Sequence, residues 1–269
     1  MSSQLHLELY LPAHPRVWTL SPCFRAEPSH SSRHLAEFWM LEAEAAFTEN
    51  LGDIIDVVEG SLKAVARGLL SDEDAGQGGW EVFAQSGAEP RRRVETLAKD
   101  VPWTRIAYKE AIDLLSAATA PRFQHRPRLG AALQTEHEKY LAQHFDGPVF
   151  VTDYPKAEKS FYMLPNADGE TVACFDLLVP EMGELAGGSL REHRLGSLLD
   201  VMASVPLSTA AFSALCYSRL TRVFNPLFAG NAECRRPASS GTSTPGALVA
   251  SLTAATASAL SASSATSPA

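Results

Sequence analysis

Alternating apolar and polar residues near the start of the chain predict two β-strands joined by a polar loop. Residues 17–20 form a strand-like run, and residues 38–44 alternate apolar and polar side chains, as a strand with one buried face does. The connecting residues 28–32 are polar and have charged residues on both sides. We therefore predict a β-hairpin with a charged tip.

Helical spacing of apolar residues predicts an amphipathic helix that follows Thr48 and packs on the sheet. A second helix is predicted over residues 108–118. A third begins near residue 133, where Thr135 is the expected N-cap and Glu138 completes a capping box. The apolar positions of the first helix are Leu51, Ile54, Ile55, Val58, Leu62, Val65 and Leu69.

The remaining segments differ sharply in composition. Short apolar runs at 148–155 and 171–180, each bounded by turn residues, predict buried strands. Residues 71–102 contain several glycines and three consecutive arginines, which predicts an irregular insertion with a solvated arginine loop. Residues 201–228 are apolar enough for one or two helices. Residues 237–269 carry no charge and are rich in Ala, Ser and Thr, which predicts a disordered tail.

Composition narrows the class of protein. A chain of 269 residues can form one sizeable core, and a net charge of −8 argues against a dominant nucleic-acid surface. The four cysteines have no paired spacing, so neither a zinc site nor a disulfide framework is predicted. No apolar run is long enough to cross a membrane, and we expect no membrane association.

Charged and aromatic residues around the hairpin suit a bound nucleotide. Arg25, at the end of the first strand, can clamp a phosphate and a carboxylate through its planar fork, and Arg33 can reach the far end of a triphosphate. Phe38 offers a flat face for a purine. The alternative is a hairpin whose charged tip is simply solvated.

A second group of candidate residues lies in residues 183–194. Two glycines allow close backbone approach to a ligand, with a carboxylate before them and an arginine after them. Mg²⁺ is usually held by one or two carboxylates plus substrate phosphates, and Glu184, with Asp176 as the weaker candidate, would supply them. The alternative is a glycine-rich turn leading into a charged helix. His137, between two glutamates, is predicted to be structural because consecutive residues do not share a helical face.

The run FRAEPSHSSRHLAEFWMLEAE, residues 24–44, resembles the second signature motif of class II aminoacyl-tRNA synthetases of the aspartate, asparagine and lysine group. It is most similar to asparagine--tRNA ligases of the organellar type, and further matches continue in family order to Leu195. The resemblance implies an α+β fold, an antiparallel sheet flanked by helices, forming an incomplete class II catalytic core. It also implies ATP-dependent activation of asparagine to asparaginyl-adenylate and transfer to tRNA(Asn), with Mg²⁺ as cofactor.

The same resemblance assigns residue roles. Arg25 is the implied catalytic residue, which stabilises charge at the α-phosphate, and Glu184 and Asp176 are the implied metal ligands. The family's homodimer, with its interface largely missing here, and a location in the mitochondrial matrix, or otherwise the cytoplasm, are implied as well. The implied ATP contacts are Arg25, Glu27, Arg33, His34, Leu35, Phe38 and Glu184. The implied amino-acid contacts are Gln4, Arg25, Gly187 and Arg191.

The resemblance ends after Leu195, and residues 196–269 contain no glycine-rich run like the family's third motif. We therefore expect a partial catalytic domain over residues 1–199, a non-family helical segment over 200–236 and the disordered tail over 237–269. We also expect the first motif and the anticodon-binding domain to be absent and the activity of this chain to be low. Three alternatives stay open: a non-catalytic nucleotide-binding or interaction protein, an incorrectly assembled gene product, and an asparagine synthetase of synthetase ancestry.

Overall fold

A mainly antiparallel sheet of seven strands organises the part of the chain that the computed structural model describes, residues 3–26, 35–71, 80, 90–119, 122–204 and 247–254. The strand order is β1-β2-β7-β6-β5-β4-β3, and only β3 and β4 pair in parallel. In chain order the strands are β1 Arg16–Phe24, β2 Glu37–Ala46, β3 Thr104–Ala107, β4 Val149–Thr152, β5 Cys174–Val179, β6 Gly183–Leu190 and β7 Ala247–Ala254.

Helices flank this sheet, so the predicted α+β class is confirmed. The helices are α1 Gln4–Tyr10, α2 Leu51–Ser71, α3 Pro90–Ala98, α4 Tyr108–Ala117, α5 Thr135–His144 and α6 Leu195–Ser204. The predicted helices beginning near residues 51, 108 and 133 correspond to α2, α4 and α5. The segment predicted as an irregular insertion contains α3, in which the three arginines are exposed helical residues rather than a loop.

Two cores form on opposite faces of the sheet because successive strand residues point to opposite sides. Phe150 and Phe175 pack against Ile54 and Ile55 of α2, whereas their neighbour Val149 faces the core beneath α4 and α5. Burying each large apolar side chain contributes roughly 1.5–3 kcal/mol, so these contacts fix α2 on one face of the sheet and α4 and α5 on the other.

The far end of α2 departs from the predicted apolar stripe. Val65 and Leu69 remain 60% and 43% exposed, whereas Glu59 and Lys63 are buried and joined at 2.6 Å. Glu59 Oε1 accepts the backbone N–H of Trp103 at 3.1 Å, so this part of the helix packs on the segment that precedes β3.

The N-cap of α5 lies one residue earlier in the chain than predicted. Gln134, not Thr135, has the extended conformation of an N-cap, with φ −92° and ψ 159°. Its N–H donates to His137 Nδ1 at 3.1 Å, so a histidine takes the place expected for Glu138. Because Nδ1 is the acceptor, Nε2 carries the proton and donates to the His125 carbonyl at 2.8 Å. The predicted structural role of His137 is confirmed.

The segment predicted as a disordered tail contributes one strand. β7 lies between β2 and β6 and pairs antiparallel with both, so the structure differs from the disorder prediction at these eight residues. Hydrogen bonding to two neighbouring strands offsets the ordering entropy, and the local run ALVASLTA includes residues suited to strands. The rest of residues 237–269 lies outside the described residues, as does 205–236. The predicted domain boundary at residue 199 falls inside α6.

Candidate active site

A cavity of about 200 Å³ opens on the sheet face that carries Asp176 and Gly187. Each of the five residues predicted to bind the amino acid or metal from outside the hairpin lines it: Gln4, Asp176, Glu184, Gly187 and Arg191. Gly188, one of the two glycines predicted to allow close approach to a ligand, also lines it, and the remaining lining residues, which the sequence interpretation did not identify, are Lys159, Tyr162, Met163, Cys174 and Ser189.

Strand register explains why these residues meet. Gly187 of β6 pairs with Asp176 of β5 and with Ser251 of β7, and Ser251 pairs in turn with Glu42 of β2. Directly paired residues present their side chains to the same face, so Glu42 and Asp176 lie in one row with glycine between them.

Gly187 leaves room above the row, because a Cβ atom at this position would crowd two carboxylates. A Cβ atom at this position would lie 3.3 Å from Glu184 Oε1 and 3.4 Å from Asp176 Oδ1. The two carboxylates therefore converge above Gly187, which forms the floor of the cavity.

Arg191 forms the opposite wall, immediately after β6. With the Gln4 amide oriented so that its oxygen faces the guanidinium, that oxygen accepts from Nη1 at 3.1 Å and from Nη2 at 2.8 Å. The guanidinium carbon lies 4.4 Å from the centroid of the Tyr162 ring, and Glu8 Oε1 lies 3.7 Å from Nε. Burial raises the pKa of Tyr162, but hydrogen bonds with Ser160 and Arg191 outweigh it and hold that pKa below its ordinary value.

Two buried glutamates of β2 lie behind this wall. Glu42 Oε2 accepts the Ser3 N–H at 2.7 Å, at the start of α1. Glu44 is 2% exposed, and neither of its carboxyl oxygens has a hydrogen-bond partner among the described residues. Burial, and next the charge of Glu8, raise the pKa of Glu44 to about 9, although Arg191 acts in the opposite direction. Glu44 is therefore protonated at neutral pH.

The glutamates were missed, but the sequence carries their signal. Phe38 and Met40 mark the buried face of β2, and residues 42 and 44 continue the same alternation. This alternation therefore places both glutamates on the buried face, where charged side chains are rarely found without a partner.

Asp176 forms an ion pair with Lys159. Lys159 Nζ donates to Asp176 Oδ1 at 2.9 Å and to Oδ2 at 2.7 Å, and it lies 3.9 Å from the centroid of the Tyr154 ring. Within the described ranges, no group of three or more His, Cys, Asp or Glu side chains could hold a metal ion. Carboxylate oxygens together with phosphate oxygens suit a hard cation, and Lys159 already forms an ion pair with one of the two carboxylates predicted to hold it.

At the hairpin, the structure brings Arg25 and Phe38 together. The Arg25 N–H donates to the Ala36 carbonyl at 2.9 Å, which extends the strand pairing by one residue, and the guanidinium carbon lies 4.8 Å from the Phe38 ring centroid. Phe38 packs with Cys23, Met40 and Leu35, and the Arg25 guanidinium covers its ring. Three other predicted ATP contacts, Glu27, Arg33 and His34, lie outside the described residues.

The other features that the sequence singled out have structural explanations. Arg91 pairs with Glu95 at 3.1 Å, and Arg93 pairs with Glu181. Cys23 and Cys174 are buried free thiols. Among the described residues, no helix combines the length and apolarity that crossing a bilayer requires.

Comparisons with known proteins identify the family of the chain. The family described as "tRNA synthetases class II (D, K and N)" matches residues 1–222, which extends past the boundary expected at residue 199. Mitochondrial asparagine--tRNA ligase of Saccharomyces cerevisiae is 42% identical over 208 residues, which are 71% of this chain and 42% of the yeast protein. Asparaginyl-tRNA synthetase of Mus musculus is 46% identical over 216 residues, 78% of this chain and 44% of the mouse protein.

Solved structures give the same picture. Asparaginyl-tRNA synthetase from Pyrococcus horikoshii, complexed with asparaginyl-adenylate, superimposes with a TM-score of 0.70 at 30% identity. The match covers 94% of this chain and 50% of the archaeal chain. The chain therefore spans less than half the length of these curated relatives and about half of the solved one.

Proposed function

Because the chain belongs to the class II tRNA synthetases of the D, K and N group, we propose that it carries the amino-acid activation site of an asparagine--tRNA ligase. The observation that carries this proposal is the single cavity that gathers Gln4, Glu184, Gly187 and Arg191. Relatives 42–46% identical over most of the chain, each named an asparagine enzyme, support the choice of amino acid.

The proposed chemistry is an adenylyl transfer followed by an acyl transfer. The asparagine carboxylate attacks the α-phosphorus of ATP, an oxygen–phosphorus bond forms, and the bond to the departing pyrophosphate breaks. The terminal ribose hydroxyl of tRNA(Asn) then takes the acyl group and AMP leaves. The protein's contribution is to position the reactants and neutralise developing charge, since neither step uses a protein nucleophile.

The charges around Arg191 suit a neutral carboxamide. Arg191 can donate to the amide oxygen of asparagine once Gln4 shifts or shares the guanidinium. Glu8, 3.7 Å from Nε, already balances part of the arginine charge. An aspartate carboxylate would face Glu8 as a second negative charge, whereas an amide would not, and an unfavourably paired buried polar group is a strong basis for discrimination.

The nucleotide would enter between the cavity and the hairpin. We assign phosphate contact to Arg25, with purine contact at the Phe38 side of the hairpin after Arg25 turns away from the ring. The assignments of Glu27, Arg33, His34 and Leu35 to ATP remain proposals from the family motif. Mg²⁺ would be held by Glu184 together with phosphate oxygens, and when bound it neutralises phosphate charge.

The biological setting is proposed from the relatives. The two yeast relatives are named mitochondrial, which favours the mitochondrial matrix over the cytoplasm, although the bacterial relatives carry no such name. Partnership with tRNA(Asn) and formation of a homodimer are proposed with the family's activity. The second candidate function is nucleotide binding without turnover, which is favoured by the ion pair of Lys159 with Asp176, one of the two carboxylates proposed to hold Mg²⁺.

Calorimetric titration with non-hydrolysable adenylate analogues tests the proposal. We expect asparaginyl sulfamoyl-adenosine to bind at least about tenfold more tightly than the aspartyl analogue, because one additional mispaired buried charge is worth 1.4 kcal/mol or more. Arg191→Gln should remove the binding of both analogues, whereas Arg126→Gln, at an exposed arginine outside the cavity, should leave both unchanged. Equal affinity for the two analogues would refute the assignment to asparagine. Binding of ATP alone, with neither analogue, would favour the second candidate.

A further inference from the structure

The connection between α4 and α5 carries positive charge with no acid of its own. Residues 122–131, the basic loop, contain three arginines and no aspartate or glutamate, in a chain whose net charge is −8. The three are exposed, and their guanidinium groups have no partner among the described residues: Arg122, Arg126 and Arg128. By contrast, the exposed Arg67 of α2 lies 3.2 Å from Asp100. The basic loop therefore offers three guanidinium groups that no acid of the described chain balances.

Groups from both neighbouring helices hold the backbone of the basic loop. Glu136 of α5 accepts the backbone N–H of Gln124 at 2.8 Å and that of His125 at 2.7 Å, and its charge offsets one of the three positive charges. The Tyr108 hydroxyl, at the start of α4, donates to the Ala131 carbonyl at 2.7 Å and accepts the Ala131 N–H at 3.1 Å. Because these contacts order the loop in advance, binding a partner costs little further conformational entropy.

Pro127 extends the part of the basic loop between two of its arginines. A residue before proline is restricted to extended conformations, and proline itself has φ of about −65°. At roughly 3.1 Å per residue, Arg126 and Arg128 are about 6 Å apart along this run. The planar fork of each guanidinium matches phosphate oxygens. Separate forks held along one extended run suit a polyanion better than a single small anion.

The basic loop lies beside the candidate active site. Glu138, in the first turn of α5, accepts the backbone N–H of Glu184 at 3.4 Å, and Glu184 lines the cavity. The Tyr108 ring lies 5.1 Å from the Tyr154 ring, and Lys159 of the cavity lies 3.9 Å from the centroid of that second ring. The two helices that hold the loop therefore also contact the cavity or its neighbours. A polymer whose end enters the cavity would pass over surface of this kind.

We propose that the basic loop binds the phosphate backbone of RNA close to the end that enters the cavity. The inference rests on the proposed function for the identity of this RNA as tRNA, and it deepens that function by naming a surface that the tRNA contacts. On an acidic chain, an isolated positive patch directs RNA to one place, because negative surface repels it elsewhere. An acidic protein segment would meet the same charges, but it has no reactive end to place in the cavity.

Fluorescence anisotropy tests the proposal, with the full chain and a labelled RNA hairpin that ends in a single-stranded CCA, at KCl concentrations between about 50 and 200 mM. The loop variant combines Arg122→Gln, Arg126→Gln and Arg128→Gln. We expect it to bind at least about tenfold more weakly, with a log–log salt slope less steep by about 2–3, because each lost phosphate contact removes about 0.7–0.9. Arg126→Gln alone should reduce the slope by about 1, which keeps the proposal testable if the combined variant does not fold.

The matched control combines Arg91→Gln, Arg92→Gln and Arg93→Gln, which remove the same charge from exposed positions of α3. It should leave both the affinity and the salt slope unchanged. An equal loss of slope in the control and the loop variant would refute the proposal, because the effect would then come from net charge. An unchanged slope in both loop variants would refute it too. If a polyglutamate peptide then bound wild type and not the combined loop variant, the loop would be a surface for a protein partner.

The outcome is separable from that of the proposed function. The loop variant should bind asparaginyl sulfamoyl-adenosine as wild type does, because the basic loop lies outside the cavity. Loop-dependent RNA binding in a chain that does not bind this analogue would support the RNA surface and refute the assignment to asparagine. Tight binding of the analogue with RNA affinity independent of the loop would refute the RNA surface alone.

Discussion

Glu44→Gln should stabilise the protein, and increasingly so as the pH rises. The side chain is buried, its carboxyl oxygens have no hydrogen-bond partner among the described residues, and its pKa is raised from 4.5 to about 9. Glutamine has the same shape as the protonated acid but no ionisable proton. The substitution therefore removes the cost of keeping this carboxyl protonated in the folded state.

The sign and the size follow from the two pKa values. Below about pH 4.5 the group is protonated both folded and unfolded, and its contribution to stability is fully present. As the pH rises towards 9, the unfolded state loses the proton that the folded state keeps, and the wild type loses stability by about 1.4 kcal/mol per pH unit. At pH 7 the accumulated loss is about 3 kcal/mol, a large part of the stability of a typical domain.

Urea unfolding of wild type and Glu44→Gln at pH 5, 7 and 9 measures this effect. The stability difference should favour the variant and grow across the series, whereas Glu37→Gln, at an exposed position at the start of the same strand, should show little change. A variant that is less stable than wild type by a similar amount at every pH would refute the reasoning. That result would mean that Glu44 is ionised and paired with Arg191 in the folded protein.

Three further substitutions test the site and its support. Arg25→Ala should weaken ATP binding by about tenfold, the loss of one charge-assisted phosphate contact, and unchanged affinity in calorimetry would assign Arg25 to a solvated hairpin tip. Gly187→Ala should abolish binding of the asparaginyl analogue without lowering the melting temperature, because its Cβ would fall 3.3 Å from Glu184 and 3.4 Å from Asp176; retained binding would show that the cavity floor is not the ligand site. His137→Ala should lower the unfolding free energy by about 1–2 kcal/mol through loss of the α5 cap, and a fully stable variant would contradict the cap assignment.

Local patterns were enough to predict much of the fold, whereas the candidate site residues came from the family resemblance. Strand alternation predicted the hairpin, helical spacing predicted α2, and short apolar runs predicted β4 and β5, because each signal arises within one element. Gln4, Glu184 and Arg191 were implied by the family resemblance, and the structure places them in one cavity.

What could not be predicted depends on contacts between distant segments. Lys159 and Asp176 are 17 positions apart, and nothing in either local run indicates that the lysine turns back over the strand. The exposure of Val65 and Leu69 likewise depends on how far the sheet extends beneath α2, which helical periodicity does not report. Pairing across the sheet is non-local, and composition alone marked β7 as part of a disordered tail.

The placement of β7 decides whether the two halves of the site act together. Arg25 directly follows β1 and Phe38 lies in β2, whereas β5 and β6 carry Asp176 and Gly187, and β7 is the strand between β2 and β6. Glu42 of β2 and Asp176 of β5 are three strand spacings apart. This distance is about 14 Å, which is of the order of a nucleotide's length. A shift of one residue in the pairing of β7 would turn neighbouring side chains to the opposite face relative to β6. The register of β7 therefore determines whether Glu42 and Glu44 of β2 lie on the same face of the sheet as Gly187 of β6, and so whether they can face the same ligand.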